Sequence, residues 1–292
     1  MRGNAEVTGA VLDCAGRALD LTRPHVMGVI NTTPDSFSDG GTLYAGSELD
    51  LNLAMQRARD MVADGASILD IGGESTRPGA DPITEAQEID RVLPVVERIV
   101  AELDVVVSVD TSSPELMTEA AARGAGLLND VRALTRDGAM AAAAATGLPV
   151  CLMHMQGEPG SMQNAPSYGD VVREVVDYLE GRAAACVENG ITTRRILVDP
   201  GFGFGKTVAH NMQLLAGLSR LAERGWPVLV GLSRKSMIGT LIGRDVDERL
   251  PASLALAVMA VERGARIVRT HDVRETVDAL AMWSALGETQ AQ

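Results

Sequence analysis

Eight times along this chain a short, nearly all-apolar run is followed by a longer stretch of helical character. The runs lie at 25–31, 67–72, 105–110, 126–131, 149–154, 195–199, 227–232 and 266–271. Strands covered on both faces read this way, as in a parallel sheet backed by helices. Helical stretches lie between them at 47–64, 84–102, 114–123, 138–146, 168–189, 209–224 and 248–262, and 273–286 follows the last strand. Helix punctuation agrees with these bounds. Ser113 precedes Pro114 as a cap before a first-turn proline, and Gly124, Gly147, Gly190 and Gly264 sit just past helical runs. Eight strand–helix units in about 260 residues fit a (β/α)8 TIM barrel, a single α/β domain. A doubly wound open sheet is the alternative. The barrel is placed at 25–286, with a short tail at 287–292. Ahead of it, 1–24 form an extension in which 11–14 and 18–21 pair as a small hairpin around Ala-Gly-Arg.

Charge limits the partners. The net charge of −13 argues against nucleic acid and anionic membrane, which need a basic surface. It leaves room for an anionic small molecule held by a local cationic cluster. No apolar run approaches membrane-spanning length and the first residues lack a secretory core. Three cysteines, Cys14, Cys151 and Cys186, form no metal or disulfide pattern. A cytoplasmic location is expected. Only two of the 26 basic residues are lysine, Lys206 and Lys235. Arginine-biased codon use accounts for the majority. A lysine kept against that bias is either chance or a place where a compact ammonium is required.

In a barrel of this kind the active site lies at the C-terminal mouth, so residues ending the apolar runs are the candidates. They are Asn31, Asp70 with Glu74 and Thr76, Asp110, Asn129, His154, Asp199, the 233–236 segment, and Arg269 with His271. One such residue is easily explained as a cap. A polar group at nearly every strand end is harder to explain as scaffolding, since each must be desolvated and paired. A ring of amide, carboxylate and cationic groups suits a flat, polar heterocycle. Arg269, His271 and Lys235 follow the last two strands, where barrels often hold phosphate. The connections 31–41 and 72–79 are polar, glycine-bearing candidates for lids.

Two tempting motifs fail. In the segment 199–207, DPGFGFGKT, a phosphate-binding P-loop would need glycine where Pro200 stands, and G-x-G-x-x-G would need it at Lys206. The glycines are expected to let the backbone approach a ligand. Lys206, at the far end of the loop, is expected to face solvent and to tolerate arginine. The four histidines lack zinc spacing, so any metal should be a hard ion on oxygen ligands, such as Mg2+ shared with phosphate. Neither a Ser-His-Asp nor a Cys-His set is evident.

Eight blocks carry a resemblance over most of the chain. MGVINTTPDSFSDGG at 27–41 and GASILDIGGESTRPGA at 65–80 resemble the two signature segments of the dihydropteroate synthase family. SVDTS at 108–112, LLNDVRAL at 127–134, MHMQGEPGSMQ at 153–163, LVDPGFGFGK at 197–206, LVGLSRKSMIG at 229–239 and RTHDV at 269–273 follow in the family's order. The resemblance implies condensation of (7,8-dihydropterin-6-yl)methyl diphosphate with 4-aminobenzoate, giving 7,8-dihydropteroate and pyrophosphate. Carried over by position, Asp110, Asn129, Asp199 and Lys235 would hold the pterin, with Thr76 beside it. Asn31, Arg269 and His271 would take the diphosphate. Asp110, Lys235, Arg269 and His271 would be the catalytic set. Phe37, Arg77, Pro78 and Ser236 would frame the aminobenzoate. Asn31, with Asp39 helping, would serve Mg2+. Sulfonamides as competing ligands and a homodimer through outer helices are implied as well.

That chemistry accounts for the missing nucleophile. Departure of pyrophosphate from a methylene on an electron-rich ring leaves a stabilised cation, so the site must neutralise the leaving group and exclude water. Two readings from other classes share the barrel. One is a pterin-binding methyltransferase domain, which would not need the Ser-Arg-Lys-Ser and Arg-Thr-His segments. The other is a non-catalytic paralogue, which should have lost the site's Asp or Lys.

Overall fold

The structure is a computed structural model that describes residues 11–33, 44–45, 48–75, 83–158 and 160–290. Phe37, Asp39, Thr76, Arg77 and Pro78 lie outside the described residues, as do most of both candidate lids.

In chain order, a hairpin of β1 (Val11–Cys14) and β2 (Arg17–Asp20) precedes the first barrel strand, β3 (His25–Asn31). A two-stranded antiparallel ribbon, β4 (Tyr44–Ala45) with β5 (Glu48–Leu49), leads to α1 (Leu51–Ala63). Then come β6 (Ile68–Gly72), α2 (Glu85–Glu102), β7 (Val106–Asp110), α3 (Pro114–Ala122), β8 (Leu127–Asp130), α4 (Ala139–Thr146), β9 (Val150–Met153) and α5 (Val171–Glu188). The second half holds β10 (Ile196–Asp199), α6 (Val208–Ala216), α7 (Leu218–Ala222), β11 (Val228–Gly231), α8 (Ser236–Ile242), α9 (Leu250–Glu262), β12 (Ala265–Thr270) and α10 (Val273–Gln290). Eight parallel strands close in the order β10-β11-β12-β3-β6-β7-β8-β9, with β9 pairing back to β10. Closure excludes the open doubly wound sheet.

The differences from the sequence reading are local. α1 starts at Leu51, because the Asp50 carboxylate accepts from the N–H groups of Asn52 and Leu53 and fixes the first turn there. The stretch 209–224 is two helices that meet at Gly217. α8 is an extra helix directly after Lys235. α10 runs to position 290, carrying Gly287 at a propensity cost of roughly 1 kcal/mol. In the hairpin, Ala15 and Gly16 both have positive φ. That two-residue turn puts Arg17 into β2, one residue earlier than the spacing implied.

Period-two alternation decides what fills the barrel. Met27, Ile68, Val106, Leu127, Cys151, Leu197, Leu229 and Ile267, one from each strand, form a single buried cluster with Leu12, Cys14, Leu19 and Leu21. The hairpin therefore plugs the N-terminal end of the barrel. Two residues further along each strand, the side chains return to the interior one layer higher. That layer is Val29, Asp70, Ser108, Asn129, Met153, Asp199, Gly231 and Arg269. An apolar plug below and a polar layer above follow from one register.

Candidate active site at the barrel mouth

Asp70 is the centre of the polar layer. Its carboxylate is fully buried. It accepts from Ser108 Oγ at 2.6 Å, Asn129 Nδ2 at 3.1 Å and Arg269 Nε at 2.6 Å. Arg269 Nη2 also donates to Asp110 Oδ2 at 3.1 Å. Burial works against the guanidinium's charge, but Asp70 and Asp110 more than offset it and hold Arg269 cationic. Asp110 is pushed up by burial first and then by Asp70, while Arg269 pulls it back. The Asn129 amide gives one N–H to Asp70, which leaves its second N–H and its carbonyl oxygen for other partners.

Above this layer lies a cavity of about 540 Å3. Its walls include Asn31, Asp110, Asn129, Asp199, Lys235, Ser236, Arg269 and His271. The described residues expected to hold substrate or metal therefore line one cavity, whereas the strand-end candidates Asp70 and His154 are not among its walls. Asp199 accepts from the Gly201 N–H at 2.7 Å. Burial raises its carboxyl to about 6, against the pull of that N–H and of Lys235 and Lys206. Lys235 Nζ lies 4.4 Å from the Phe204 ring centroid, a cation–π contact. Burial lowers its ammonium to about 8. Asp199 and Lys235 thus face the cavity as an acceptor and a donor whose protonation changes near neutral pH.

His271 also lines the cavity. Its pKa falls to about 3, through burial first and then the nearby cations Arg269, Arg234, Arg57 and Lys235. In the free protein it is a neutral imidazole, with Nδ1 3.0 Å from Ser233 Oγ. Arg234 supports the same side from a left-handed backbone, φ 56°. Its Nε donates to Asp272 at 3.0 Å, its N–H donates to Ser253 Oγ at 3.0 Å, and its carbonyl accepts from Arg249 at 3.1 Å. A strained residue persists only where its surroundings hold it, and this one sets the position of Lys235 and of the start of α8.

Lys206 reverses the sequence expectation outright. It is 3% exposed, and its Nζ lies within hydrogen-bond reach of His154 Nδ1 and of three backbone carbonyls. The glycine turns fold the loop back over the lysine, which spacing alone does not reveal. The sequence reading passed over Ser108 and Phe204, and it named Asp70, Ser233 and Arg234 as strand-end candidates without assigning them partners. The alternation that places Asp199 inward places Asp70 and Ser108 inward too, so that signal was present. The Arg234–Asp272 pair joins positions 38 apart and had none.

The fold is a closed (β/α)8 barrel whose mouth gathers carboxylate, amide and cationic side chains around one cavity, as barrel enzymes do. The profile of the pterin-binding enzyme family matches residues 27–271. A dihydropteroate synthase from Escherichia coli strain K12 is 53% identical over 270 residues, covering 92% of this chain and 94% of that protein. A Yersinia pestis dihydropteroate synthase solved in a sulfonamide complex superposes with a TM-score of 0.91 at 50% identity, covering 95% of this chain and 99% of that one. A Xanthomonas albilineans dihydropteroate synthase in complex with 7,8-dihydropteroate gives a TM-score of 0.85 at 48% identity, covering 95% and 98%. The chain belongs to the pterin-binding enzyme family and, within it, to the dihydropteroate synthases.

Proposed function

We propose that this chain condenses (7,8-dihydropterin-6-yl)methyl diphosphate with 4-aminobenzoate, forming 7,8-dihydropteroate and pyrophosphate. The observation that carries the assignment is the convergence of two kinds of group on one cavity. Asp199, Asn129 and Lys235 offer acceptors and a donor for a ring edge, and Arg269 with His271 offers donors for an anion. Asp110, which also lines the cavity, is paired to Arg269.

The bond from the pterin methylene to the diphosphate oxygen breaks, and its electron pair leaves with pyrophosphate. The aniline nitrogen then bonds to the methylene and sheds a proton. Arg269, held cationic by two carboxylates, stabilises charge that grows on the leaving oxygens. His271 donates a hydrogen bond as a neutral ring, and an arriving polyanion draws its pKa upward. Ser236 at the start of α8, with Phe37, Arg77 and Pro78 from the connections outside the described residues, frames the aminobenzoate. Sulfonamides compete for that position.

Mg2+ fits this arrangement as an ion brought by the diphosphate. Among the described residues no group of three or more His, Cys, Asp or Glu side chains is placed to hold a metal. Asn31 lines the cavity with an amide oxygen, a hard donor suited to Mg2+ that keeps most of its ligands from phosphate and water. Asn31, with Asp39, would hold it, and the ion would neutralise leaving-group charge. Exposed Met259 on α9 and Met282 and Leu286 on the adjoining α10, with Leu241 and Ile242 at the end of α8, support a homodimer through these helices. Among the described residues no helix is long and apolar enough to cross a membrane.

The deciding experiment measures pyrophosphate release from the pterin diphosphate. Release that requires both 4-aminobenzoate and Mg2+ supports the assignment. Absence of aminobenzoate-dependent release overturns it.

A further inference from the structure

The chain's two lysines meet at one loop. Lys235 belongs to the ring edge. Lys206 lies behind it, under the backbone of the segment 199–207. Its Nζ donates to the carbonyls of Gly201 at 2.9 Å, Phe204 at 3.0 Å and His154 at 3.3 Å, and lies 2.9 Å from His154 Nδ1. His154 is held neutral by burial and by Lys206 itself, so that nitrogen accepts, and the three ammonium N–H groups are shared among four acceptors, the His154 carbonyl at 3.3 Å being the longest contact. No carboxylate is among these partners. A buried cation ringed by carbonyls gathers backbone dipoles much as a bound metal ion would. A compact ammonium with three rotatable donors suits that task, and a planar guanidinium does not.

Both carbonyls held within the loop lead directly to the ring edge. Gly201 accepts from Lys206 through its oxygen and donates to Asp199 through its N–H. Phe204 accepts from Lys206 through its carbonyl and carries Lys235 on its ring. The loop has little room to settle elsewhere. A Cβ on Gly201, whose φ is 68°, would fall 1.9 Å from the His154 oxygen, and one on Gly205 would fall 2.3 Å from the Gln156 oxygen. From behind, Tyr168 donates to the Gly205 carbonyl at 2.8 Å, and Tyr178 packs edge-on against His154. The chain has only two Trp, three Tyr and three Phe, and Phe202, Phe204, Tyr168 and Tyr178 all gather here.

We infer that Lys206 is a positioning residue for the ring site: its buried ammonium shapes the 199–207 loop so that Asp199 and Lys235 meet the pterin edge together, without touching substrate itself. The inference rests on the pterin assignment above. It also assigns a role to the second of two lysines in a chain that otherwise uses arginine.

Lys206→Met keeps the stem and removes every donor. Calorimetry with 6-hydroxymethylpterin should then show affinity at least tenfold weaker, while pyrophosphate with Mg2+ binds within about twofold of wild type. Amide exchange of the 201–205 backbone should quicken, with β9 and β10 unchanged. Unaltered pterin affinity, or equal loss of both ligands, overturns the inference. If the wild-type protein itself binds no pterin, the site assignment fails instead. Should the Met variant not fold, Lys206→Gln, which keeps two N–H donors but no charge, replaces it under the same criteria. The wild-type protein supplies an independent check, because isotope-labelled lysine gives only two side-chain signals. At mildly acid pH and without ligand, the Lys206 ammonium protons should exchange slowly. Exchange as fast as that of an exposed lysine overturns the inference.

Discussion

Asp70 and Arg269 form a buried ion pair across the floor of the barrel mouth, Nε to Oδ2 at 2.6 Å. The pair joins β6 to β12 and fixes a guanidinium that lines the cavity. Ser108 and Asn129 complete the carboxylate's shell. Removing one charge from such a pair leaves the other short of a partner, at a cost of about 3–5 kcal/mol. Asp70→Asn is therefore expected to lower stability by about 3–5 kcal/mol in urea unfolding and to reduce kcat/KM. Combining it with Arg269→Gln should cost less than the two single losses added, because both remove the same interaction. Additive losses would mean that the pair is not a unit.

The strand positions and the ring of polar ends were legible in the sequence because period-two burial is a local property. Asn129 and Asp199 lie two residues beyond plug residues Leu127 and Leu197, and Asp110 lies four beyond Val106, so their inward direction followed from counting. What was not legible depends on how loops fold back. Lys206 reads as a solvent residue until the turns at Gly201, Gly203 and Gly205 bring three carbonyls over it. The neutral state of His271 was equally hidden, since burial and then four cations from three separate segments produce it.

The pH profile should have two limbs. In the proposed assignment Asp199 accepts from the ring as a carboxylate, and its pKa is raised to about 6, so that form is lost as pH falls through that value. In the same assignment Lys235 donates as an ammonium, and its pKa is lowered to about 8, so that form is lost as pH rises through that value. Lys206, lowered to about 7, adds to the alkaline side. A bell-shaped kcat/KM is expected, falling below about 6 and above about 7–8. Asp199→Asn should weaken pterin binding by about 1–3 kcal/mol and flatten the acid limb, because it removes the titrating acceptor. Wild-type affinity in that variant, or an unchanged acid limb, would remove Asp199 from the ring edge.

The hairpin plug should matter for stability and not for chemistry. Leu21 is fully buried in the cluster that takes one residue from every barrel strand. Truncating it leaves a cavity at the end of the barrel opposite the site. Leu21→Ala should cost about 2–5 kcal/mol in denaturant unfolding, with kcat within about twofold of wild type. A large fall in kcat at full folding would mean that the plug couples to the mouth.

Arginine substitution separates charge from shape at the two lysines. The Lys235 stem runs beside Gly203, where even a Cβ would come within 3.3 Å of it, and its Nζ rests on Phe204. Guanidinium is wider and planar, and a misplacement of about 1 Å in such a site costs roughly 10²-fold in rate. Lys235→Arg should therefore lose at least about tenfold in kcat/KM, or about 1.4 kcal/mol, although the charge is kept. At Lys206 the expectation from sequence was tolerance, and the structure turns it round. A guanidinium cannot enter a space closed by the Gly201, Phe204 and His154 carbonyls without pushing the loop out. Lys206→Arg should lose at least as much as Lys235→Arg, chiefly through weaker pterin binding. Steady-state kinetics on the two variants side by side decides the matter. A Lys206→Arg enzyme with wild-type kcat/KM would return that lysine to chance.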